Sequence, residues 1–166
     1  SVSPSGSVVV AHASNVSFTV QSQPYYHIET ITTNAYALTN VHGTTLRTVA
    51  CSNVVSDGSF ATTFGQNLAT NSVPEVWLVS YGLTNTSFDS EAMLDRDGDG
   101  MAAWAEYIAG TVPTNRNDCF RLGEQLTSSR AVITWHTVTA RSYTVICTPA
   151  LGQTWKPWPS SLVFDA

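Results

Sequence analysis

Asp95, Asp97, Asp99 and Glu106 place four carboxylates in the short stretch DRDGDGMAAWAE, in a chain of which only 11% of residues are charged. The aspartates alternate, Gly100 follows them, and the glutamate closes the run. In a curled loop this alternation turns three carboxylates towards one point. Gly100 allows the sharp bend that lets the chain wrap around that point. Glu106, on the first turn of a following helix, can reach back with both oxygens. Such a group suits a hard divalent cation, which takes roughly six to eight oxygens at about 2.3–2.6 Å. Without a cation, like charges at this spacing raise carboxylate pKa values and push the loop open. The competing reading is a solvated acidic turn with no metal, which does not account for the placing of the glycine and the final glutamate.

Counted from Asp95, the stretch follows D-x-D-x-D-G-x5-E, the calcium loop of the EF-hand. Met101 falls where a backbone carbonyl faces the ion. Ala103 falls where a side chain often ligates, so water is expected there. The expected ligand set is therefore Asp95, Asp97, Asp99, the Met101 carbonyl and Glu106, with Ca²⁺ as the ion. Mg²⁺ fits less well because it keeps several waters. Asp89, Glu91 and Arg96 are the nearby charges, and only Arg96 opposes the cluster. Folding of residues 74–115 is expected to be linked to calcium.

Helical elements must hold this loop. PEVWLVSYGL places apolar residues at helical spacing, with Glu75 at the start and Gly82 at the stop. AAWAEYIAG sets Trp104, Tyr107 and Ile108 on one face before Gly110. On either side the pattern is β. In residues 1–66, GSVVVAH, NVSFTVQ, YYHIETITT, TTLRTVAC and SDGSFATTFG read as strands and turns. Val16, Phe18 and Val20 share one face of NVSFTVQ. Residues 67–73 read as a linker of small polar residues. In 116–166, CFRLGEQL, RAVITWHTV, SYTVICTPAL and SSLVF read as strands. The expected fold is mainly β: two small antiparallel, sandwich-like domains (1–66 and 116–166) joined by a helix–calcium loop–helix unit (74–115).

A chain of 166 residues with 43% apolar content can bury a core. Net charge is −5, with seven Lys and Arg together and no basic stripe, which argues against a nucleic-acid partner. No apolar run reaches the ~20 residues of a membrane-spanning helix. The chain opens at Ser1 without an initiator Met or signal-type segment, as a processed protein would, and both ends are expected to be docked. Cys51, Cys119 and Cys147 leave room for one internal bridge; Cys119–Cys147 is the preferred pair, beside an equally open reading of three buried thiols. His12, His27, His42 and His136 are scattered without zinc-site spacing, so a zinc site is not expected. No nucleophile elbow or glycosidase-type carboxylate pair stands out, and no catalytic role is assigned. Trp155 and Trp158, in an aromatic proline turn, are candidate sugar-stacking residues, against the plainer reading of core packing.

Three segments resemble modules of bacterial secreted and surface proteins. SPSGSVVVAHASNVSFTVQSQPYYHIETITTN, followed by CSNVVSDGSFATTFG, resembles a small bacterial β repeat through Tyr26, Ile28, Asn53, Val54, Phe60 and Phe64. PEVWLVSYGLTNTSFDSEAMLDRDGDGMAAWAEYIAGTVPTNRNDCFRL resembles a calcium-binding segment related to thrombospondin type 3 and dockerin-like loops. Trp77, Tyr81, Gly82, Leu83, Asp95, Asp97, Asp99, Gly100, Glu106, Tyr107, Ala109, Gly110, Thr111, Pro113, Asn115 and Phe120 carry that likeness. Ala103 and Val112 depart from it. AVITWHTVTARSYTVICTPALGQTWKPW is similar to the β module that often follows such a unit, through Trp135, Arg141, Tyr143, Val145, Leu151 and Trp155. The resemblance implies a non-enzymatic extracellular or cell-surface structural protein whose calcium unit stiffens a junction between modules. The expected assembly is a homo-oligomer or filament formed by strand or edge pairing, with Ser1–Ala11 or the C-terminal strand docking on the next copy. The alternative is an accessory or carbohydrate-binding module of a larger secreted enzyme, with glycans as partners.

Overall fold

The computed structural model describes residues 1–33, 38, 41–127, 131–147, 154 and 156–157. The described part is mainly β, built from several small antiparallel sheets and three short helices, in line with the expected class.

Alternation builds the N-terminal unit. Strand β1 (Val2–Ser3) pairs with β2 (Ser14–Gln21), which pairs with β4 (Leu46–Val54). A second sheet pairs β3 (Tyr26–Thr33) with β5 (Phe60–Gln66). In β2 the even-numbered residues Val16, Phe18 and Val20 are more buried than their neighbours, as the pattern predicts. The apolar faces of the two sheets meet in a core of Val20, Ile28, Ile31, Val41 and Val49. Phe18 of β2 stacks on Phe60 of β5 at 4.4 Å between ring centroids. Burial of this kind supplies roughly 1.5–3 kcal/mol per large aliphatic side chain.

One expectation fails here. GSVVVAH forms no strand, and Val9 is almost fully exposed. An apolar run without alternation cannot divide itself between core and solvent on a two-sided sheet. The first three residues are docked within the chain: Val2 pairs with Val20 and Ser3 with Thr19, while the Ser1 amine donates to the Gln21 carbonyl at 2.6 Å.

Residues 67–73 do not form a linker. Strands β6 (Leu68–Ala69) and β7 (Val73–Pro74) make a small hairpin, and Ala69 and Val73 are buried. They join Leu78, Leu83, Ala92 and Ala103 in a second core, capped by Trp77, Tyr81, Phe88, Trp104 and Tyr107. Helices α1 (Glu75–Ser80) and α3 (Ala103–Ala109) lie where the periodicity predicts them. Between them is a helix that periodicity did not indicate, α2 (Phe88–Met93). Its sequence, FDSEAM, sets a polar run between Phe88 and Ala92, so no apolar stripe stands out. Its local signal is Ser87, whose hydroxyl caps the helix by accepting from the Ser90 N–H, with Asp89 and Glu91 in the first turn. Asp89 in turn accepts from the Thr70 N–H and hydroxyl, fastening α2 to the hairpin turn.

The helical unit touches β structure on both sides. Tyr25 packs edge-on to Phe88 at 5.7 Å, and the Asn67 N–H donates to the Tyr25 carbonyl. On the other side, β8 (Leu122–Leu126) and β9 (Ala131–Trp135) form a hairpin, and β10 (Ile146–Cys147) pairs with β11 (Lys156–Pro157). The expected SSLVF strand lies outside the described residues. Arg141 donates to the Tyr107 carbonyl at 2.7 Å and lies over the Tyr107 ring.

Gly110 ends α3 in the left-handed region at φ 82°, where a side chain is strained. A Cβ there would also meet Arg141 Nε and Val138 Cγ1, each at 2.9 Å. Gly110→Ala is therefore expected to cost about 1–2 kcal/mol from the backbone alone, with a further loss from the displaced Arg141 contact. A urea melt measures it, and an unchanged midpoint would rule out the tight packing at this joint.

Candidate metal centre

The acidic loop lies between α2 and α3, and the local sequence dictates its shape. Gly98 and Gly100 take left-handed conformations at φ 76° and 100°. These bends turn successive N–H groups inward onto the aspartates. Asp95 accepts from the N–H groups of Gly98, Asp99 and Gly100 at 2.8, 3.3 and 2.9 Å. Asp97 Oδ1 accepts from the Asp99 N–H, and Asp99 Oδ1 from the Met101 N–H. One oxygen from each aspartate lies within 4.8 Å of the other two.

The remaining oxygens decide what the loop can do. Asp97 Oδ2, Asp99 Oδ2 and Glu106 Oε2 are buried and have no hydrogen-bond partner among the described residues. Glu106 is completely buried, with only a long 3.4 Å contact from the Thr111 hydroxyl to its other oxygen. Unpaired buried carboxylate oxygens are costly. Their strain is visible in the pKa values. Burial, then the charges of Asp97 and Asp99, push Glu106 up from 4.5 to about 7. Burial, then the Asp99 charge, raises Asp97. Asp95, stabilised chiefly by the Gly100 N–H, moves the other way and is lowered. The aspartates fit a hard cation: their oxygens converge, and Asp97 Oδ2 and Asp99 Oδ2 are buried without a hydrogen-bond partner among the described residues. Glu106 does not stand within the same 4.8 Å group, although the charges of Asp97 and Asp99 reach it.

Arg96 does not oppose the cluster, contrary to expectation. Its guanidinium turns to Glu91, with Nη2 at 2.5 Å from Oε1 and Nε at 2.8 Å from Oε2. Glu91 is fully buried and also accepts from the Thr86 N–H and hydroxyl. The Arg96 hydrogen bond holds Glu91 at about 2, against the opposing effect of burial. The reason is topological: α2 brings Glu91 under the arginine, whereas Asp97 and Asp99 point into the loop. No ion pair to Asp95, Asp97, Asp99 or Glu106 occurs among the described residues.

The other expected ligands are placed as follows. Met101 is half-buried in the loop, and its sulfur lies 3.2 Å from the Phe120 nitrogen. Ala103 begins α3 and is fully buried, so a small apolar residue at that position serves the helical core. Cys119 is a free thiol, so the Cys119–Cys147 bridge is not formed here. It sits instead near Asp99 and Arg121, and burial raises its pKa. The side chain of Cys147 lies outside the described residues, as do Trp155 and Trp158. Cys51 is also a free thiol, on β4.

A second convergence was missed in the sequence. His27, Glu29 and His42 each bring a ligand-type atom within 4.8 Å of the other two. The histidines lack metal-site spacing, but His27 and Glu29 stand two apart in a strand, a spacing that places side chains on one side. Only folding brings His42 to them.

The chain matches no family model, no curated protein and no solved structure in comparisons with known proteins.

Proposed function

We propose that the chain is a non-enzymatic, calcium-stabilised structural protein of an extracellular or cell-surface assembly, in which the ion stiffens the joint between two β units. The observation that carries this reading is the set of buried, unpartnered oxygens on Asp97, Asp99 and Glu106. Asp95, Asp97, Asp99, Glu106 and the Met101 carbonyl would hold the ion. Bound there, Ca²⁺ would supply positive charge where no described residue forms an ion pair with the carboxylates. The protein's own residues do the rest: Gly98 and Gly100 bend the loop, and the cores of α2 and α3 hold its two ends.

Self-association by edge pairing is part of the proposal. Register pairs Leu122 with Trp135, Glu124 with Ile133 and Leu126 with Ala131, so Leu122, Leu126 and Ile133 share one face of the β8–β9 hairpin. All three are more than half exposed. A two-stranded hairpin with an apolar, solvent-facing side is marginal alone and gains from a neighbour. In sedimentation velocity with calcium present, the protein is expected to shift to larger species as concentration rises. Leu126→Lys is expected to suppress that shift. A monomer at every concentration would sink the assembly proposal, while leaving the calcium joint to its own test.

A further inference from the structure

His27, Glu29 and His42 occupy the N-terminal β unit, on different elements from the acidic loop. We propose that these three side chains form a site for a divalent transition-metal ion of the zinc class. Imidazole nitrogen and carboxylate oxygen are the donors such ions take, and three protein ligands leave a fourth position open.

Four observations converge on this. First, the strand is built to gather the ligands. The β3–β5 register slips between Ile28 and Thr30, leaving Glu29 as the extra residue of a β-bulge. The bulge lets Ile28 and Ile31, three apart, both enter the core, and it re-aims Glu29. The segment after Val41 then docks beside Ile28, whose N–H donates to the Thr44 carbonyl and whose carbonyl accepts from the Gly43 N–H. His42 is thereby carried over β3, with its ring 4.8 Å from that of His27 at 78°.

Second, the ligand atoms are within reach of one ion. Glu29 Oε2 lies 3.7 Å from His27 Nε2, and Glu29 Oε1 lies 3.7 Å from His42 Nδ1. One ligand atom from each of the three residues already lies within 4.8 Å of the other two, and a turn of the Glu29 carboxylate brings a single oxygen between the rings. The side chains of Glu29 and His42 are 46% and 71% exposed, which leaves them free to adjust.

Third, His27 is oriented as a ligand. Its Nδ1 lies 2.9 Å from Asn67 Oδ1. An amide oxygen only accepts, so Nδ1 is the donor in this contact and Nε2 is the nitrogen left to face a metal. That Nε2 is buried and has no hydrogen-bond partner among the described residues. A hydrogen bond on the far nitrogen is the usual support of a metal-bound histidine.

Fourth, the space is kept open. Gly65 lies opposite His27 in β5. A Cβ there would come within 2.8 Å of His27 Nε2 and closer still to Glu29 Oε2. Glycine inside a strand weakens it, and its use where other groups approach closely is a recurring reason to tolerate that cost.

The test is calorimetric titration of the full chain with ZnCl₂ at pH 7.5 in saturating CaCl₂, so that calcium competes for the acidic loop. One zinc is expected to bind. His42→Ala removes an exposed side chain without touching the core and is expected to weaken zinc on the order of a hundredfold. Asn67→Ala is expected to weaken it about 10–100-fold by releasing the His27 ring. His12→Ala is expected to leave it unchanged. Co²⁺ in place of zinc should give the intense visible bands of a four-coordinate ion, lost in His42→Ala. No saturable zinc binding by the wild type, or binding that His42→Ala leaves intact, would each overturn the proposal. The melt with and without calcium tests the acidic loop separately.

Discussion

At pH 7.5, stripping calcium with a chelator is expected to lower the melting temperature by about 8–16 °C. A ligand at a thousandfold excess over its Kd stabilises by about 4 kcal/mol. In a domain of this size each kcal/mol moves the midpoint by about 2–4 °C. The acidic loop supplies the reason for so large an effect. Asp97 Oδ2, Asp99 Oδ2 and Glu106 Oε2 are buried without a hydrogen-bond partner among the described residues, and the charges of Asp97 and Asp99 act on Glu106. The pH dependence follows from Glu106, raised from 4.5 to about 7 chiefly by burial. The metal-free fold binds that proton more tightly than the unfolded chain does. The resulting stability is full below about pH 4.5 and is lost as pH rises to about 7, a change of about 3 kcal/mol. Calcium replaces the proton, so its stabilising effect should grow across the same window. Glu106→Gln separates the two effects. In chelator at pH 7.5 the variant is expected to melt above the wild type, because a buried charge has gone. In calcium it is expected to gain far less than the wild type. Melting curves at pH 5 and 7.5, with and without calcium, decide the matter. A wild-type midpoint indifferent to calcium at both pH values would end the calcium reading.

Arg96→Ala is expected to cost about 2–3 kcal/mol: Glu91 is buried but the Arg96 side chain is 30% exposed, which keeps the loss below that of a fully buried pair. Exposed pairs are worth about 0–1 kcal/mol. The difference lies with Glu91, which has no exposed surface and depends on both guanidinium contacts. With Arg96 gone, the Thr86 N–H and hydroxyl remain, too few donors for an ionised carboxylate beside Ala92 and the helical core. The wild-type pair is also an acid-sensitive element. Glu91 is held at about 2 in the fold against an ordinary 4.5, so its contribution is full above about pH 4.5 and is lost as pH falls towards 2. Arg96→Ala should flatten that acid limb. Urea unfolding at neutral pH in saturating calcium gives the magnitude; a loss below about 1 kcal/mol would mean that Glu91 finds water or another donor. Arg96→Met with Glu91→Leu is expected to recover much of the loss, because apolar residues of similar volume need no pairing.

The two metal-type clusters differ in how far the chain alone reveals them. The acidic loop is a local structure. Its carboxylates fall within one short segment, and the same residues that bear the carboxylates and glycines also bend the backbone, so spacing was enough to single out Asp95, Asp97 and Asp99 as a convergent group. The strands of the N-terminal unit were legible for a similar reason. Alternation in NVSFTVQ reports directly which face is buried, whereas the unbroken apolar run in GSVVVAH carries no such information and forms no strand. Helices α1 and α3 carry enough apolar residues to show a period. Helix α2, FDSEAM, does not, and its one local signal is the Ser87 cap.

What required the tertiary structure were the long-range pairings. Residues 67–73 look like a polar linker until Ala69 and Val73 are seen packed beneath the helices. Arg96 looks like the counter-charge of the loop until α2 sets Glu91 closer. His42 looks isolated until the chain after Val41 docks on β3 and meets His27 and Glu29. Sequence by itself determined the mainly β class and the acidic loop, because both depend on periods and spacings within a few residues. The fold decided which charges are compensated and which histidines converge, because electrostatic energy depends on distance through space, and separation along the chain does not set that distance until the core has packed.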